Sequence, residues 1–221
     1  MRIPFTIEQF LSVFEKYNLA VFPMQILLYL LAIAAIILTF WRTRRSDRII
    51  NSILAFFWFW MGIVYHLIHF TVINKAAILF GIISIIQGMI FLYAGALNAK
   101  LTYGFKKNGY FITGAIFILY ALLIYPLLSY VFGHAYPSNP TFGLPCPTTI
   151  FTFGLFLWTA RSFPKYILLI PFLWAIIGSN AAFSLGVKED YGLLVAAVLG
   201  TILIYIRDRK RNNGEEVASK L

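Results

Sequence analysis

Apolar segments long enough to cross a lipid bilayer recur along the whole sequence. A helix rises about 1.5 Å per residue, so about 20 apolar residues cross a hydrocarbon core about 30 Å thick. The segments are longer than barrel strands and lack an alternation of period two. They predict an all-α, polytopic transmembrane bundle of seven helices, with spans at residues 21–41, 51–73, 76–98, 110–133, 147–161, 166–187 and 191–206.

Positive charge is concentrated in alternate connecting segments. Fourteen basic residues follow the first, third, fifth and seventh predicted spans, and four lie on the other side: Arg2, Lys16, Lys75 and Lys188. This bias follows the positive-inside rule and predicts an outer N-terminus and a cytoplasmic C-terminus. We therefore expect the basic residues that give the chain its formal net charge of +10 to bind anionic lipid headgroups at the cytoplasmic loops, and not nucleic acid.

The two ends of the chain differ from the spans. Residues 6–17 predict a short amphipathic helix, in which Thr6 and Gln9 have the spacing of a capping box. It is too short to span, so we assign residues 1–20 to an outer interfacial segment, with a lid over the bundle as the alternative. The transmembrane domain then covers residues 21–206, and residues 207–221 form a basic, mobile cytoplasmic tail.

The single cysteine lies between two prolines in GLPCPTT, residues 143–149. Pro147 suits the first turn of a helix, with Cys146 as its N-cap, where the helix dipole favours a thiolate, and with Thr148 and Thr149 following. The span that starts there is only about 22 Å long. Either the bilayer thins locally, or the helix starts below the outer surface and residues 141–147 line a cavity. A surface loop with an inert cysteine is the alternative.

All three histidines fall on the predicted outer side of the membrane. His66 and His69 are three residues apart and would share a face of an α-helix, while His134 ends the fourth span. Imidazole and thiolate suit zinc or copper, so His66, His69 and Cys146 are candidate metal ligands, with His134 as a further donor. A haem with two histidine ligands would need His134. The alternative is that the histidines only form hydrogen bonds to neighbouring helices.

Few acidic residues lie within the predicted spans, and Glu189 and Asp190 are placed in the outer connection between the sixth and seventh. This pattern favours facilitated movement of a solute over a proton-driven pump. The sequence has no phosphate-binding glycine-rich loop, no Gly-x-Ser-x-Gly and no His-Glu-x-x-His motif. These absences favour a protein that is not an enzyme.

Two stretches carry a family resemblance: PFTIEQFLSVFEKYN at residues 4–18, and GLPCPTT. With them, the chain resembles an uncharacterised family of bacterial seven-helix integral membrane proteins over nearly its full length. The resemblance implies the fold and a location in the bacterial inner (plasma) membrane. It implies no established activity and no catalytic residues.

Three functions are compatible with these patterns. The first is a transporter or permease for a small solute or metal ion, with an outer-facing site that contains His66, His69, His134, Cys146, Thr148 and Thr149. The second is a membrane-bound metal- or haem-binding enzyme that uses the same histidines. The third is a non-catalytic sensor or assembly factor, whose cytoplasmic basic loops and tail contact a protein partner.

Overall fold

The structure is a computed structural model that describes residues 4–218, so that Arg2 and Lys220 lie outside the described residues. No strand is formed within that range, which confirms the all-α prediction. The helices are α1 (Ile7–Val21), α2 (Met24–Phe40), α3 (Ser46–Val72), α4 (Ala77–Leu97), α5 (Gly109–Val131), α6 (Pro145–Leu157), α7 (Tyr166–Leu185) and α8 (Tyr191–Ala218). A 3₁₀ turn, Lys188–Asp190, leads into α8.

Five helices in the described range are long and apolar enough to cross a membrane: α3, α4, α5, α7 and the segment Lys188–Asn213. Helices α1 and α2 meet at 86° and add a sixth span only if the bent pair is counted as one. The predicted count of seven is not confirmed, because α2 has 17 residues and α6 has 13. The coarser prediction of several apolar spanning helices is confirmed.

The helix faces that point away from the core of the bundle are apolar. On α2, for example, Leu28, Ala32 and Ala35 are fully buried against the bundle, while large aliphatic residues on the opposite face, including Ile26 and Leu30, are exposed. A helix that is apolar on all sides is typical of a membrane environment, since lipid covers the face that protein does not.

Helix α6 forms the centre of the bundle. Every residue of it except Cys146 is buried, and it packs against α3, α5, α7 and α8. Its approach to α5 depends on two glycines. A Cβ atom at Gly154 would lie 2.6 Å from Ile118 and 2.9 Å from the carbonyl oxygen of Gly114. The other helices therefore surround a short helix that has no lipid-facing side.

Helices α3 and α4 pack closely along a stripe of small residues. Cβ atoms at Gly81, Gly88 and Gly95 would lie 2.6, 2.7 and 2.3 Å from side chains of α3. These three glycines therefore allow α3 and α4 to approach each other closely. Small residues are the usual means by which membrane helices approach each other.

Three of the long helices contain π-helical segments, at Met61–His69, Phe91–Leu97 and Tyr120–Ile124. In these segments the backbone bonds run from i to i+5, so each turn is wider than an α-helical turn. The third segment directly precedes Tyr125 and Pro126, where the proline lacks the N–H that an α-helix would use. The π segments change the direction in which side chains point, which affects the histidines described below.

The C-terminal end of α6 is held by α8. Arg207 is buried, and its Nη1 donates hydrogen bonds to the carbonyl oxygens of Phe156 (2.9 Å) and Leu157 (3.0 Å). Its Nε donates to Asp208 at 2.9 Å. Helix α8 thus continues through the predicted boundary at residue 206, and the described part of the predicted tail is helical.

Candidate functional site

A cavity of about 510 Å³ lies between α1, α3, α7 and the segment that enters α6. Its walls are mainly apolar, with the amide side chains of Asn74 and Asn180 also present, and the aromatic residues among them are Phe5, Phe10, Phe14, Tyr65, Phe70, Phe80 and Trp174. Its floor is polar and contains Tyr125, Cys146 and Asp190. An apolar cavity with a few converging polar groups is the usual form of a small-molecule site.

Asp190 reaches the floor because the connection between α7 and α8 is short. Gly186 ends α7 in the left-handed conformation, with φ of 74°, and its N–H donates to the carbonyl of Ala182. The 3₁₀ turn Lys188–Asp190 then places Glu189 and Asp190 against the C-terminal part of α5. The hydroxyl of Tyr125 donates to Asp190 Oδ1, and the thiol of Cys146 lies beside the same carboxyl. Asp190 is only 3% exposed although it lines the cavity.

Glu189, the neighbouring acid, has a different environment. It is fully buried, and its Oε1 lies 3.0 Å from Nδ1 of His134. Its carbonyl oxygen accepts a hydrogen bond of 2.7 Å from the hydroxyl of Tyr120. The two adjacent carboxyl groups are therefore separated in role: Glu189 pairs with His134, and Asp190 lines the cavity.

Helix α1 closes one side of the cavity. The predicted capping box is formed, with the side chains of Thr6 and Gln9 bonding to each other's backbone N–H. On the buried face, the ring of Phe10 lies 4.5 Å from Phe14 and 5.9 Å from Phe70 of α3. The interfacial position that the sequence suggests for this helix stays a prediction, but its apolar face is turned towards the bundle.

A single buried amide, Asn18, fixes α1 to the loop before α6. Its Nδ2 donates to the carbonyl oxygens of Pro137 (2.6 Å) and Asn139 (2.7 Å). Its Oδ1 accepts from Oγ1 of Thr141 at 2.8 Å and from Nε2 of Gln25 at 2.7 Å. These four bonds hold α1, the start of α2 and residues 137–141 together above the cavity.

The candidate histidines of α3 have different neighbours. His66 is fully buried, with its ring 4.8 Å from Trp174, and among the described residues neither ring nitrogen has a hydrogen-bond partner. His69 Nδ1 lies 2.7 Å from the carbonyl oxygen of Val64, and its ring packs 5.4 Å from that of Tyr17. The prediction that His66 and His69 share one helix face assumed the 3.6 residues per turn of an α-helix. Both residues lie in the π segment Met61–His69, whose turns are wider, so this spacing does not apply.

The predicted metal centre is not formed by these residues. In the range that the structure describes, no group of three or more His, Cys, Asp and Glu side chains is placed to hold a metal ion. Cys146 lies by Asp190, His134 pairs with Glu189, and His66 lies among aromatic rings. Coordination of zinc, copper or haem thus gains no support from the geometry.

The structure also corrects the start of α6. The helix begins at Pro145 with Leu144 as its N-cap, so Cys146 is the second helical residue and not the cap. Cys146 is partly buried and lines the cavity. Thr148 and Thr149 are fully buried, and their hydroxyl groups have no hydrogen-bond partner among the described residues.

Sequence reasoning missed Asp190 and Tyr125 as members of the site. It placed the acidic pair outside the membrane, in the connection between two spans. The length of that connection was the available signal, because five residues, 186–190, are too few to carry the acids far from two packed helices. Tyr125 carried no such signal, since tyrosine is common throughout this chain.

The long apolar helices, with large aliphatic side chains exposed on their outward faces, define the class as a helical membrane protein. The chain belongs to the family of unknown function DUF6064, whose sequence profile matches residues 7–215. Comparison with curated proteins and with solved structures gives no match.

Proposed function

We propose that this protein is a permease for a small, largely apolar organic solute, which it binds in the cavity at the start of α6. The observation that carries the proposal is the cavity itself, with its aromatic walls and its floor of Tyr125, Cys146 and Asp190. In this proposal the protein lies in the bacterial inner membrane with its N-terminus outside, as the positive-inside rule predicts, so the cavity faces outward.

The position of α6 supports transport. The helix starts at the floor of the cavity and ends at Arg207, so its 13 residues cover about 20 Å between the two ends. Thr148, Thr149 and Thr152 lie along it, and the hydroxyl of Thr152 accepts from Nε1 of Trp58 at 3.2 Å. In the proposal, these hydroxyl groups below the cavity supply polar contacts to the solute as it moves towards the other side.

An organic solute fits the cavity better than the metal ion named from the sequence. Metal sites gather several nitrogen, sulfur or oxygen ligands around one point. The walls of this cavity are mainly apolar, with the amides of Asn74 and Asn180, and its floor offers one carboxylate, one phenol and one thiol. Such a surface suits a molecule with a carbon skeleton and one polar group.

The single cysteine provides a direct test. Cys146 is the only thiol in the chain and lines the cavity, so no background cysteine has to be removed. A membrane-impermeant methanethiosulfonate reagent is applied to right-side-out and to inside-out vesicles, and labelling of Cys146 is measured by mass spectrometry. A permease that exposes its site alternately to each side is expected to be labelled in both preparations.

Two exposed positions serve as matched controls in a Cys146→Ser background. Lys16→Cys reports the predicted outer side and Lys100→Cys the predicted inner side, so each should react in one preparation only. Labelling of Cys146 from the outer side alone would contradict transport and would indicate a receptor. Labelling from the inner side alone would contradict the outward-facing site.

A further inference from the structure

We propose that the solute bound in this cavity is an organic cation: an amine whose apolar body packs among the aromatic walls and whose ammonium group pairs with Asp190. This assignment rests on the proposed function for the existence of an occupied cavity, and adds the chemical class of the occupant.

The first argument is the isolation of a buried carboxyl group. Asp190 is 3% exposed and lines the cavity, and a buried carboxylate is costly unless an opposite charge is near. Among the described residues, no lysine or arginine forms an ion pair with it. Lys188, two residues before it, instead places its ammonium 5.3 Å from the ring centre of Phe132. A cationic ligand would supply the missing charge.

The second argument is the division between the two adjacent acids. Glu189 has its own partner, because His134 Nδ1 lies 3.0 Å from its Oε1. Asp190 receives a hydrogen bond from the hydroxyl of Tyr125, which is a neutral donor. Tyr125 orients the carboxyl group without neutralising it, so the cavity floor presents an acceptor that is already fixed in position.

The third argument is the chemistry of the walls. Aromatic ring faces attract cations, and tryptophan does so most strongly. Trp174, Tyr65, Phe70 and Phe14 line the same cavity as Asp190. An aromatic enclosure with one carboxylate is suited to an alkyl- or arylammonium group, whereas an anion would be repelled by Asp190. A small metal cation would find too few oxygen ligands among these rings.

Three probes that share one apolar body separate charge from hydrophobicity: phenethylamine, phenethyl alcohol and hydrocinnamate. Binding is measured by equilibrium dialysis at neutral pH against the protein in phosphatidylcholine nanodiscs, with empty nanodiscs as the blank. We expect the amine to bind about tenfold or more tightly than the alcohol, because it adds a charge-assisted hydrogen bond, and hydrocinnamate to stay at the blank level.

Two isosteric variants locate the effect. Asp190→Asn keeps the size of the side chain and can still accept from Tyr125, and it is expected to lose the preference for the amine while binding the alcohol as before. Glu189→Gln changes the neighbouring acid, which faces His134, and should keep that preference. Thermal unfolding of both variants verifies that they are folded.

The outcomes separate the two proposals. If the alcohol binds as tightly as the amine, or if Asp190→Asn keeps the preference, the assignment of an amine is overturned while the cavity remains a solute site. If none of the three probes binds above the blank, the proposed function fails together with the assignment. The comparison of amine and alcohol in the unmodified protein is decisive even if Asp190→Asn does not fold.

Discussion

Replacement of Asn18 by Ala is expected to release α1 from the loop above the cavity. The side chain makes four hydrogen bonds, to Pro137, Asn139, Thr141 and Gln25. Each contributes about 1 kcal/mol net, and water can solvate some of the freed groups once α1 moves, so the loss amounts to about 2–4 kcal/mol. The equilibrium constant for opening this region should then rise by roughly thirty- to several-hundredfold.

Hydrogen exchange of the detergent-solubilised protein measures that constant locally. In Asn18→Ala, amides of residues 7–21 and of Ser138, Asn139 and Thr141 should exchange faster by about this factor, while those of α6 should not change. Asn98→Ala is the matched control, because Asn98 is exposed and donates one hydrogen bond, to the carbonyl of Tyr93 at 2.7 Å. Equal exchange of residues 7–21 in the two variants would refute the reasoning.

Two further substitutions test the packing of the central helix. Gly154→Ala places a methyl group 2.6 Å from Ile118 and should lower the free energy of unfolding by about 1–3 kcal/mol, whereas Gly109→Ala, with no atom within 4 Å of its added Cβ, should not. Thermal unfolding that is equal in these two alanine variants would contradict the close approach of α5 and α6. Arg207→Met leaves two carbonyl groups without their donor and removes one of the three basic partners of Asp208, which keeps Lys165 and Arg211. It should cost about 1–3 kcal/mol in a urea or thermal titration. Arg209→Met is its control, because Arg209 is exposed, and a similarly small effect of both substitutions would show that the Arg207 contacts are not stabilising.

Much of the helical fold could be predicted from the sequence, because a bilayer leaves few structures open to an apolar chain. Backbone groups in lipid must be hydrogen-bonded within the segment, so long apolar runs become helices. The glycines of α4 were recognisable for a similar reason, since a seven-residue spacing of small side chains lets another helix approach closely.

The site was harder to predict, because it depends on contacts between distant parts of the chain. Apolar periodicity shows that α1 has a buried face but not that this face closes a cavity, which depends on the bonds of Asn18 to residues 137–141. Asp190 is buried by the turn at Gly186 and the hydroxyl of Tyr125. Gly186 lies only four residues before Asp190, but Tyr125 is distant from it in sequence. The contact with Tyr125 could therefore not be predicted from local sequence.

The candidate histidines show a second limit of sequence reasoning. The prediction of a shared face for His66 and His69 assumed one helical geometry throughout α3. Periodicity of apolar residues does not distinguish an α-helix from a short π segment inside it, because such a segment alters the register by a single residue. The wider turn brings His66 against Trp174 and leaves His69 at the carbonyl of Val64.

The π segment in α3 also has a consequence for how this chain can change length. A wide turn holds one residue more than an α-helical turn over the same stretch, so loss of one residue between 61 and 69 can be absorbed by local conversion to α-helix. Outside such a segment, the same loss would rotate the two parts of a helix by about 100° relative to each other. Single-residue length differences among members of this family should therefore concentrate in the three π segments, where the packing on either side is preserved.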